Sequence, residues 1–150
     1  MNIELCKAEI KRHEGEVLEI YMDSLGYKTL GVGHLCQPSD PEYNWEVGTP
    51  VTQEVVDMYY KDDFEKHYKE TIHVFGSEED FENLPEPIQR VLVNMCFNLG
   101  GTRLSKFRNM LKACREHNWN EMARQMQDSR WYGQVGRRSW ELQQVVMGQV

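Results

Sequence analysis

Apolar positions near the start of the chain follow first a helical and then a strand-like period. They recur at helical spacing from Ile3 to Ile10, and Gly15 stands where a helix would end in a left-handed residue. Two short runs rich in β-branched and aromatic residues, 17–21 and 27–32, flank a stretch that contains Asp, Ser and Gly. This pattern predicts a helix followed by a small β-hairpin.

The pattern beyond the hairpin predicts a loop and then a long helix. Residues 37–50 hold three prolines and no periodic apolar pattern. A helical stripe of apolar and aromatic positions begins after Thr52 and continues to Phe75, before Gly76 and Ser77 interrupt it. A helix of this length would connect two lobes of a small protein.

The second half of the chain has the pattern of packed helices. Two prolines at 84–87 occupy early helical positions, where no amide partner is lost. Residues 88–99 leave little polar surface, so this helix is predicted to form the core of a second lobe and to stop at the glycine pair 100–101. Three further apolar sets each fit one face of a short helix, at 104–114, 119–126 and 140–146.

Together these elements predict an α+β fold in a single domain, residues 1–150. A small N-terminal lobe with the hairpin and the long helix, 13–75, would be followed by an all-helical lobe, 76–150, which the first helix, 3–12, completes. We expect the substrate cleft between the lobes, where such clefts often lie.

Composition agrees with a compact enzyme domain. The chain has 150 residues and is 40% hydrophobic, which suffices for one good core or two small ones. Charged residues are scattered through its first 20 positions, so we expect no signal peptide, no membrane insertion and synthesis in the cytoplasm. The four cysteines lack C-x-x-C spacing and are expected to be free thiols, with a secreted, disulfide-bonded form left open.

The net charge of −7 is divided unevenly along the chain. Residues 1–100 carry 8 Lys and Arg against 20 Asp and Glu, a balance of −12, and residues 101–150 carry 9 against 4, a balance of +5. The basic C-terminal part could meet an anionic polymer such as the bacterial wall or a nucleic acid. Equally, the two parts could simply attract each other.

Several common chemistries are not indicated. The pair His13-Glu14 is not followed by the second histidine of a zinc-protease motif, because Val17 stands there. A dinucleotide fingerprint would need a small residue at Cys36. No serine lies in a nucleophile elbow, and the five histidines are scattered without metal spacing. We therefore expect no cofactor and no metal.

Candidate chemistry lies in the first third of the chain. Glu14 ends the first predicted helix, Asp23 lies in the hairpin turn and Thr29 lies in the return strand. Two carboxylates that faced one cleft could perform general acid and base catalysis. Either residue alone would more often be solvated surface, so spacing does not decide between the two interpretations.

Ordered motifs over nearly the whole chain resemble one family. Glu14-Gly15 is followed by I-Y-x-D and by G-Y-x-T-x-G-x-G-H, which ends at His34. A second block begins with Phe97-Asn98-Leu99-Gly100 and continues through S-R-W-Y to Arg138. These motifs are similar to those of the phage-type lysozymes, the muramidases of T-even bacteriophages and their relatives. The resemblance implies a lysozyme-like two-lobed fold.

The resemblance also implies a reaction. It would be hydrolysis of the β-1,4 bond between N-acetylmuramic acid and N-acetylglucosamine in peptidoglycan. Glu14 would protonate the leaving oxygen, and Asp23 with Thr29 would hold or activate the attacking water, with inversion of configuration. A lytic transglycosylase, which needs only one acid, and a catalytically inert wall-binding protein are the alternatives.

Further residues acquire roles by the same resemblance. Leu35, Phe97, Asn98 and Arg138 would bind substrate, and Asn98 stands where relatives carry a glutamine. Arg138 matches the arginine that contacts the catalytic glutamate in the family.

The motif histidine would be structural, and the wall would be the partner. His34 would pair with Asp63 on the long helix. The expected partner is bacterial peptidoglycan, with no nucleic acid and no membrane insertion. We expect a monomer, which would depend on a holin-like release partner if its source is a phage.

Overall fold

The computed structural model describes residues 1–150, which divide into two compact units. One unit comprises residues 7–66, and the other comprises residues 1–6 with 67–150. The chain is mostly helical, with one small antiparallel sheet, so the predicted α+β class is confirmed. No helix has both the length and the apolar character needed to cross a membrane.

The elements of the first half follow the predicted order, with two additions. They are α1 (Ile3–Glu14), β1 (Val17–Met22), β2 (Lys28–Gly31), β3 (His34–Leu35), a 3₁₀ turn (Pro41–Asn44) and α2 (Gln53–Phe75). Strand β3 lies just after the predicted hairpin. The 3₁₀ turn lies within the predicted loop 37–50. Both are too short for a periodic pattern to appear in the sequence.

The three strands pair in the order β1-β2-β3, each antiparallel to its neighbour. Tyr21 lies opposite Thr29, and Thr29 lies opposite Leu35, so these three residues form one row across the sheet. The turn into β3 is possible because Gly31 and Gly33 both take a φ of +61°, a left-handed conformation that few other residues adopt at low cost.

The core of residues 7–66 forms between the sheet and α2. Strand β2 approaches α2 so closely at Gly31 that an added Cβ would lie 2.9 Å from Cγ1 of Val56. The apolar side chains around this contact are almost fully buried: Ile10, Ile20, Leu30, Val32, Val56 and Phe64. A glycine in β2 therefore sets the distance between the sheet and the long helix.

The other unit is built from seven further helices. They are α3 (Glu78–Glu82), α4 (Glu86–Leu99), α5 (Gly101–Ser105), α6 (Arg108–Arg115), α7 (Trp119–Gln127), α8 (Arg130–Val135) and α9 (Arg137–Met147). Helix α4 is buried over most of its length and forms the centre of this unit, as its apolar pattern predicts. It begins after Pro85 and ends at Gly100, whose φ is +81°. The four cysteines of the protein are buried and unbridged.

Helix α3 is a difference from the sequence expectation. It lies in the segment between the long helix and the prolines, where no helix is predicted. The Ser77 hydroxyl accepts a hydrogen bond from the Asp80 amide at 3.1 Å and so caps its first turn. Phe81 is fully buried and holds this short helix in the core.

We predict that Gly31→Ala destabilises the protein more than Gly26→Ala does. Both glycines have positive φ, so both variants incur the left-handed strain of about 1–2 kcal/mol. Only position 31 adds a collision, because an added Cβ at Gly26 meets no atom within 4 Å. The expected difference in the free energy of urea unfolding is about 1 kcal/mol or more. Equal losses would show that Val56 moves aside without cost.

Candidate active site

The structure places Glu14, Asp23 and Thr29 in the same unit. Glu14 is the last residue of α1, Asp23 follows β1, and Thr29 lies within β2. The two carboxylate residues are half-buried, whereas Thr29 is only 4% exposed. None of the three is in the fully solvated position that is usual for such residues.

One face of the sheet carries the row Tyr21, Thr29 and Leu35. Residues directly opposite each other on paired strands project their side chains on the same side of the sheet. Leu35 is 44% exposed, so this end of the row is open to solvent. Its neighbour His34 points to the opposite face, because side chains alternate along a strand.

The turn after β1 fixes the carboxylate of Asp23. Its Oδ1 atom accepts hydrogen bonds from the amides of Leu25, at 2.9 Å, and Tyr27, at 2.8 Å. The backbone closes the same turn, because the amide of Asp23 donates to the carbonyl of Tyr27 at 2.9 Å. Oδ2 is left as the oxygen of Asp23 that can act on a ligand or a water molecule.

The hydroxyl of Thr29 has a defined orientation. Its hydrogen is donated to the carbonyl oxygen of Tyr27 at 3.0 Å. The lone pairs of Oγ1 therefore remain as acceptors. Thr29 can hold a water molecule by accepting one of its hydrogens. The backbone of Tyr27 thus fixes both Thr29 and Asp23.

Glu14 lies against the turn between β2 and β3. An added Cβ at Gly33 would collide with the Oε1 atom of Glu14. Position 33 therefore requires glycine for two reasons. Its backbone is left-handed, and the Glu14 carboxylate occupies the space that a side chain would need. The second glycine of the sequence G-V-G is thus part of the surroundings of Glu14.

Tyr21 shares the electrostatic environment of both carboxylates, a role that the sequence did not indicate. Burial raises the pKa of its phenol, and the negative charges of Glu14 and Asp23 raise it further. The phenol thus stays protonated and can donate a hydrogen bond beside the two acids. The available signal was its place in the motif I-Y-x-D.

His34 makes two hydrogen bonds to carboxylates. Its Nδ1 lies 2.7 Å from Oδ2 of Asp63, and its Nε2 lies 2.8 Å from Oδ2 of Asp40. The ring stacks on Tyr59 with centroids 3.9 Å apart, and the Tyr59 hydroxyl donates to the buried Glu42 at 2.6 Å. The sequence indicated Asp63 but not Asp40.

Burial lowers the pKa of His34, but the hydrogen bonds to Asp63 and Asp40 outweigh it, so the pKa is raised overall. An ionised carboxylate can only accept a hydrogen bond, so both ring nitrogens donate when the imidazole is protonated. The raised pKa favours that positively charged form between the two acids.

Three of the substrate-binding candidates lie in the helical unit. Phe97 and Asn98 are near the end of α4, and the indole of Trp131 donates to Oδ1 of Asn98 at 2.7 Å. Arg138 is only 9% exposed, and its Nε donates to Oδ1 of Asn94 at 2.9 Å. Asn98 and Arg138 are thus both held by side chains of their own unit.

A concavity with a volume of about 780 Å³ lies in the helical unit, and Trp131, the partner of Asn98, is part of its lining. Phe107 and Trp131 contribute aromatic surface to it, and Asp128 is its one acidic residue. Its cations are Arg103, Lys106, Arg108 and Arg130. The excess positive charge of residues 101–150 is therefore partly concentrated at one concavity.

One further set of side chains has metal-ligating character. His67, Glu70 and Cys96, all in the helical unit, have donor atoms within 4.8 Å of one another. None of them is among the residues described above.

Comparison with known proteins gives consistent matches over most of the chain. The family model for phage lysozyme matches residues 11–144. The chain is 30% identical over 149 residues to the probable T4-type lysozyme 2 of Dictyostelium discoideum, covering 89% of this chain and 88% of that protein. It is 28% identical over 149 residues to the probable T4-type lysozyme 1 of the same organism, with the same coverage.

A third match is to a longer phage protein. The chain is 26% identical over 156 residues to the pre-baseplate central spike protein Gp5 of Enterobacteria phage T4. This alignment covers 92% of the chain but 27% of the spike protein.

We predict that the stability contribution of His34 is lost at alkaline pH. Its pKa is raised in the folded state, so the contribution is complete below the unfolded value of about 6.5 and disappears as pH rises through the folded pKa. Each unit of pKa elevation corresponds to about 1.4 kcal/mol. NMR titration of the ring and urea unfolding as a function of pH measure the two quantities.

Asp40→Asn and Asp63→Asn should each lower the pKa of His34 and reduce this pH dependence. His73→Gln, on the exposed side of α2, is the matched control and should change neither quantity. An unchanged titration in both asparagine variants would contradict the proposed charge on His34.

Proposed function

Because the chain belongs to the phage lysozyme family, we propose that it is an N-acetylmuramidase that hydrolyses the β-1,4 bond between N-acetylmuramic acid and N-acetylglucosamine in bacterial peptidoglycan. Family membership makes it a glycoside hydrolase of the lysozyme type. The observation that supports the finer assignment is the arrangement around Tyr21. The charges of Glu14 and Asp23 both act on this phenol, and Thr29 lies directly opposite it.

In this proposal Glu14 is the general acid. Its proton passes to the glycosidic oxygen as the bond to the anomeric carbon breaks, which makes the departing sugar a neutral alcohol. The close fit of the carboxylate against Gly33 supports this role, because it limits the positions that the acid can take. A general acid is efficient only when it is held within reach of the atom that it protonates.

Asp23 and Thr29 would activate the water on the other face of the sugar. Thr29 accepts one hydrogen of the water, and Oδ2 of Asp23 removes the other as the water oxygen bonds to the anomeric carbon. The hydrogen bonds that fix Oδ1 of Asp23 and the hydroxyl of Thr29 support this assignment. Direct attack by water gives inversion of configuration.

The remaining site assignments rest on the resemblance. Leu35, Phe97, Asn98 and Arg138 are proposed to contact the sugar chain or its peptide. The exposed side chain of Leu35 and the indole bond that orients Asn98 agree with such a role. We also propose that the protein acts on the wall as a monomer, with a holin-like partner for release if its source is a phage. Sedimentation at catalytic concentration tests the first point.

We predict that Glu14→Gln abolishes most of the activity on purified peptidoglycan. Removal of a general acid lowers the rate by about 10²–10⁴-fold. Mass spectrometry of the soluble fragments should show hydrated muramic acid ends from the wild type, and proton NMR of freshly released ends should show the α anomer first. The matched control is Glu16→Gln, which removes only an exposed ion pair with Lys11 at 2.7 Å.

Other products would identify the alternatives. Anhydro ends would show a lytic transglycosylase, and the absence of fragments from the wild type would favour the catalytically inert wall-binding protein. A β anomer would contradict inversion, and full activity of Glu14→Gln would contradict the role of this residue.

A second prediction concerns the glycine beside the acid. Gly33→Ala should displace the Glu14 carboxylate and lower kcat by about 100-fold, the effect of misplacing a catalytic group by about 1 Å. Gly48→Ala is the matched control, because this glycine also has a positive φ but its added Cβ meets nothing nearer than 3.9 Å. Both variants should be assayed at a temperature where circular dichroism shows them folded. Equal values of kcat would show that the contact with Gly33 is not needed.

A further inference from the structure

Three donor side chains of different chemistry meet in the helical unit. His67 and Glu70 are neighbours at positions i and i+3 of α2, and Cys96 lies on α4. One ligand atom from each residue lies within 4.8 Å of the other two. A nitrogen, an oxygen and a sulfur donor thus converge from two packed helices.

The pair on α2 is already ordered. Nδ1 of His67 lies 2.7 Å from Oε1 of Glu70, and their side chains are 17% and 34% exposed. The edge of the His67 ring meets Phe97, with ring centroids 5.1 Å apart. Both donors therefore have defined positions, and solvent reaches them from the side of the carboxylate.

The surrounding backbone leaves space for the carboxylate. An added Cβ at Gly101 would lie 2.8 Å from Oε2 of Glu70 and 3.2 Å from its Cβ. Any other residue at position 101 would therefore displace this side chain. Cys96 has no exposed surface, so its sulfur reaches the cluster from the interior of the unit.

We propose that His67, Glu70 and Cys96 bind a divalent cation with affinity for sulfur, namely Zn²⁺. Imidazole nitrogen, carboxylate oxygen and thiolate sulfur are the three protein donors that zinc prefers. Water completes a four-coordinate site on the exposed side. Binding releases the thiol proton of Cys96 to solvent and breaks the hydrogen bond between His67 and Glu70, whose hydrogen moves to the ring nitrogen of His67 that does not bind the ion.

The donor spacing requires a small adjustment. With zinc bonds of about 2.0–2.3 Å, tetrahedral ligands are about 3.3–3.7 Å apart. Nδ1 of His67 and Oε1 of Glu70, now 2.7 Å apart, would open by about 1 Å. The longer separations within the group, which reach at most 4.8 Å, would shorten by about the same amount, and side-chain rotation at the half-exposed Glu70 can largely provide both changes. The bound ion would join this part of α2 to α4. The sequence did not indicate the site, because its sulfur donor is remote from His67 along the chain.

Cobalt titration of the reduced, untagged full-length protein tests the proposal. Co²⁺ is a spectroscopic substitute for Zn²⁺, and a thiolate ligand gives it a charge-transfer band in the near ultraviolet. We expect a saturable band at one Co²⁺ per chain, its removal by Zn²⁺, and a rise in Tm with Zn²⁺. Absence of a band would overturn the proposal.

Variants separate this site from adventitious binding. Cys96→Ser should remove the band, and His67→Gln and Glu70→Gln should each weaken binding at least about tenfold. If Cys96→Ser does not fold, the loss of cobalt affinity in His67→Gln and Glu70→Gln tests the proposal, because both positions are half-exposed.

Two matched controls should leave the titration unchanged. His73→Gln removes an exposed histidine of the same helix, and Cys114→Ser removes a thiol whose pKa burial raises to about 12. Unchanged binding in His67→Gln, or loss of the band in Cys114→Ser, would overturn the assignment.

Discussion

The ring of His34 joins three segments of the unit that carries the candidate catalytic residues. It belongs to β3, and its two hydrogen bonds reach Asp40 in the following loop and Asp63 on α2. A buried cation is costly unless it is fully paired, and here each ring nitrogen has a carboxylate partner. The stacked Tyr59 excludes water on one side of the ring. The position of the sheet against the long helix, and hence of Thr29, depends on this network.

Because side chains alternate along a strand, one face of the sheet packs against the long helix and the other carries a candidate catalytic residue. His34 and Leu30 lie on the face that meets the helix, and Leu35 and Thr29 lie on the other face. The same three short strands thus provide a packed surface and a polar one. Because the backbone of Tyr27 orients both Asp23, through its N–H, and Thr29, through its carbonyl, the polar face is rigid where a water molecule would have to be held.

Much of this organisation could be predicted from the sequence. The apolar periods gave the first helix, the hairpin, the long helix and the buried helix α4, because each is long enough for a period to repeat. Strand β3 and helices α3 and α8 were missed since two, five and six residues do not establish a period. The set 104–114, predicted as one helix, is divided between α5 and α6. Glu14, Asp23 and Thr29 were identified through ordered motifs, not through spacing. Asp40 and the group at Cys96 could not be found, because their importance lies in contacts that only the folded chain creates. Tyr21 lies in the motif I-Y-x-D, but the motif alone does not show that both acids act on its phenol.

The two-residue length of β3 has a consequence for how such a chain can evolve. His34 and Leu35 are adjacent, yet one serves the interior and the other faces outward. A single inserted or deleted residue in the turn at 32–33 would exchange the directions of these two side chains. Leu35 would then face Asp40 and Asp63, and His34 would face the solvent. The number of residues in this turn is therefore fixed by the geometry of the two faces, and the buried Val32 within it is fixed by the core.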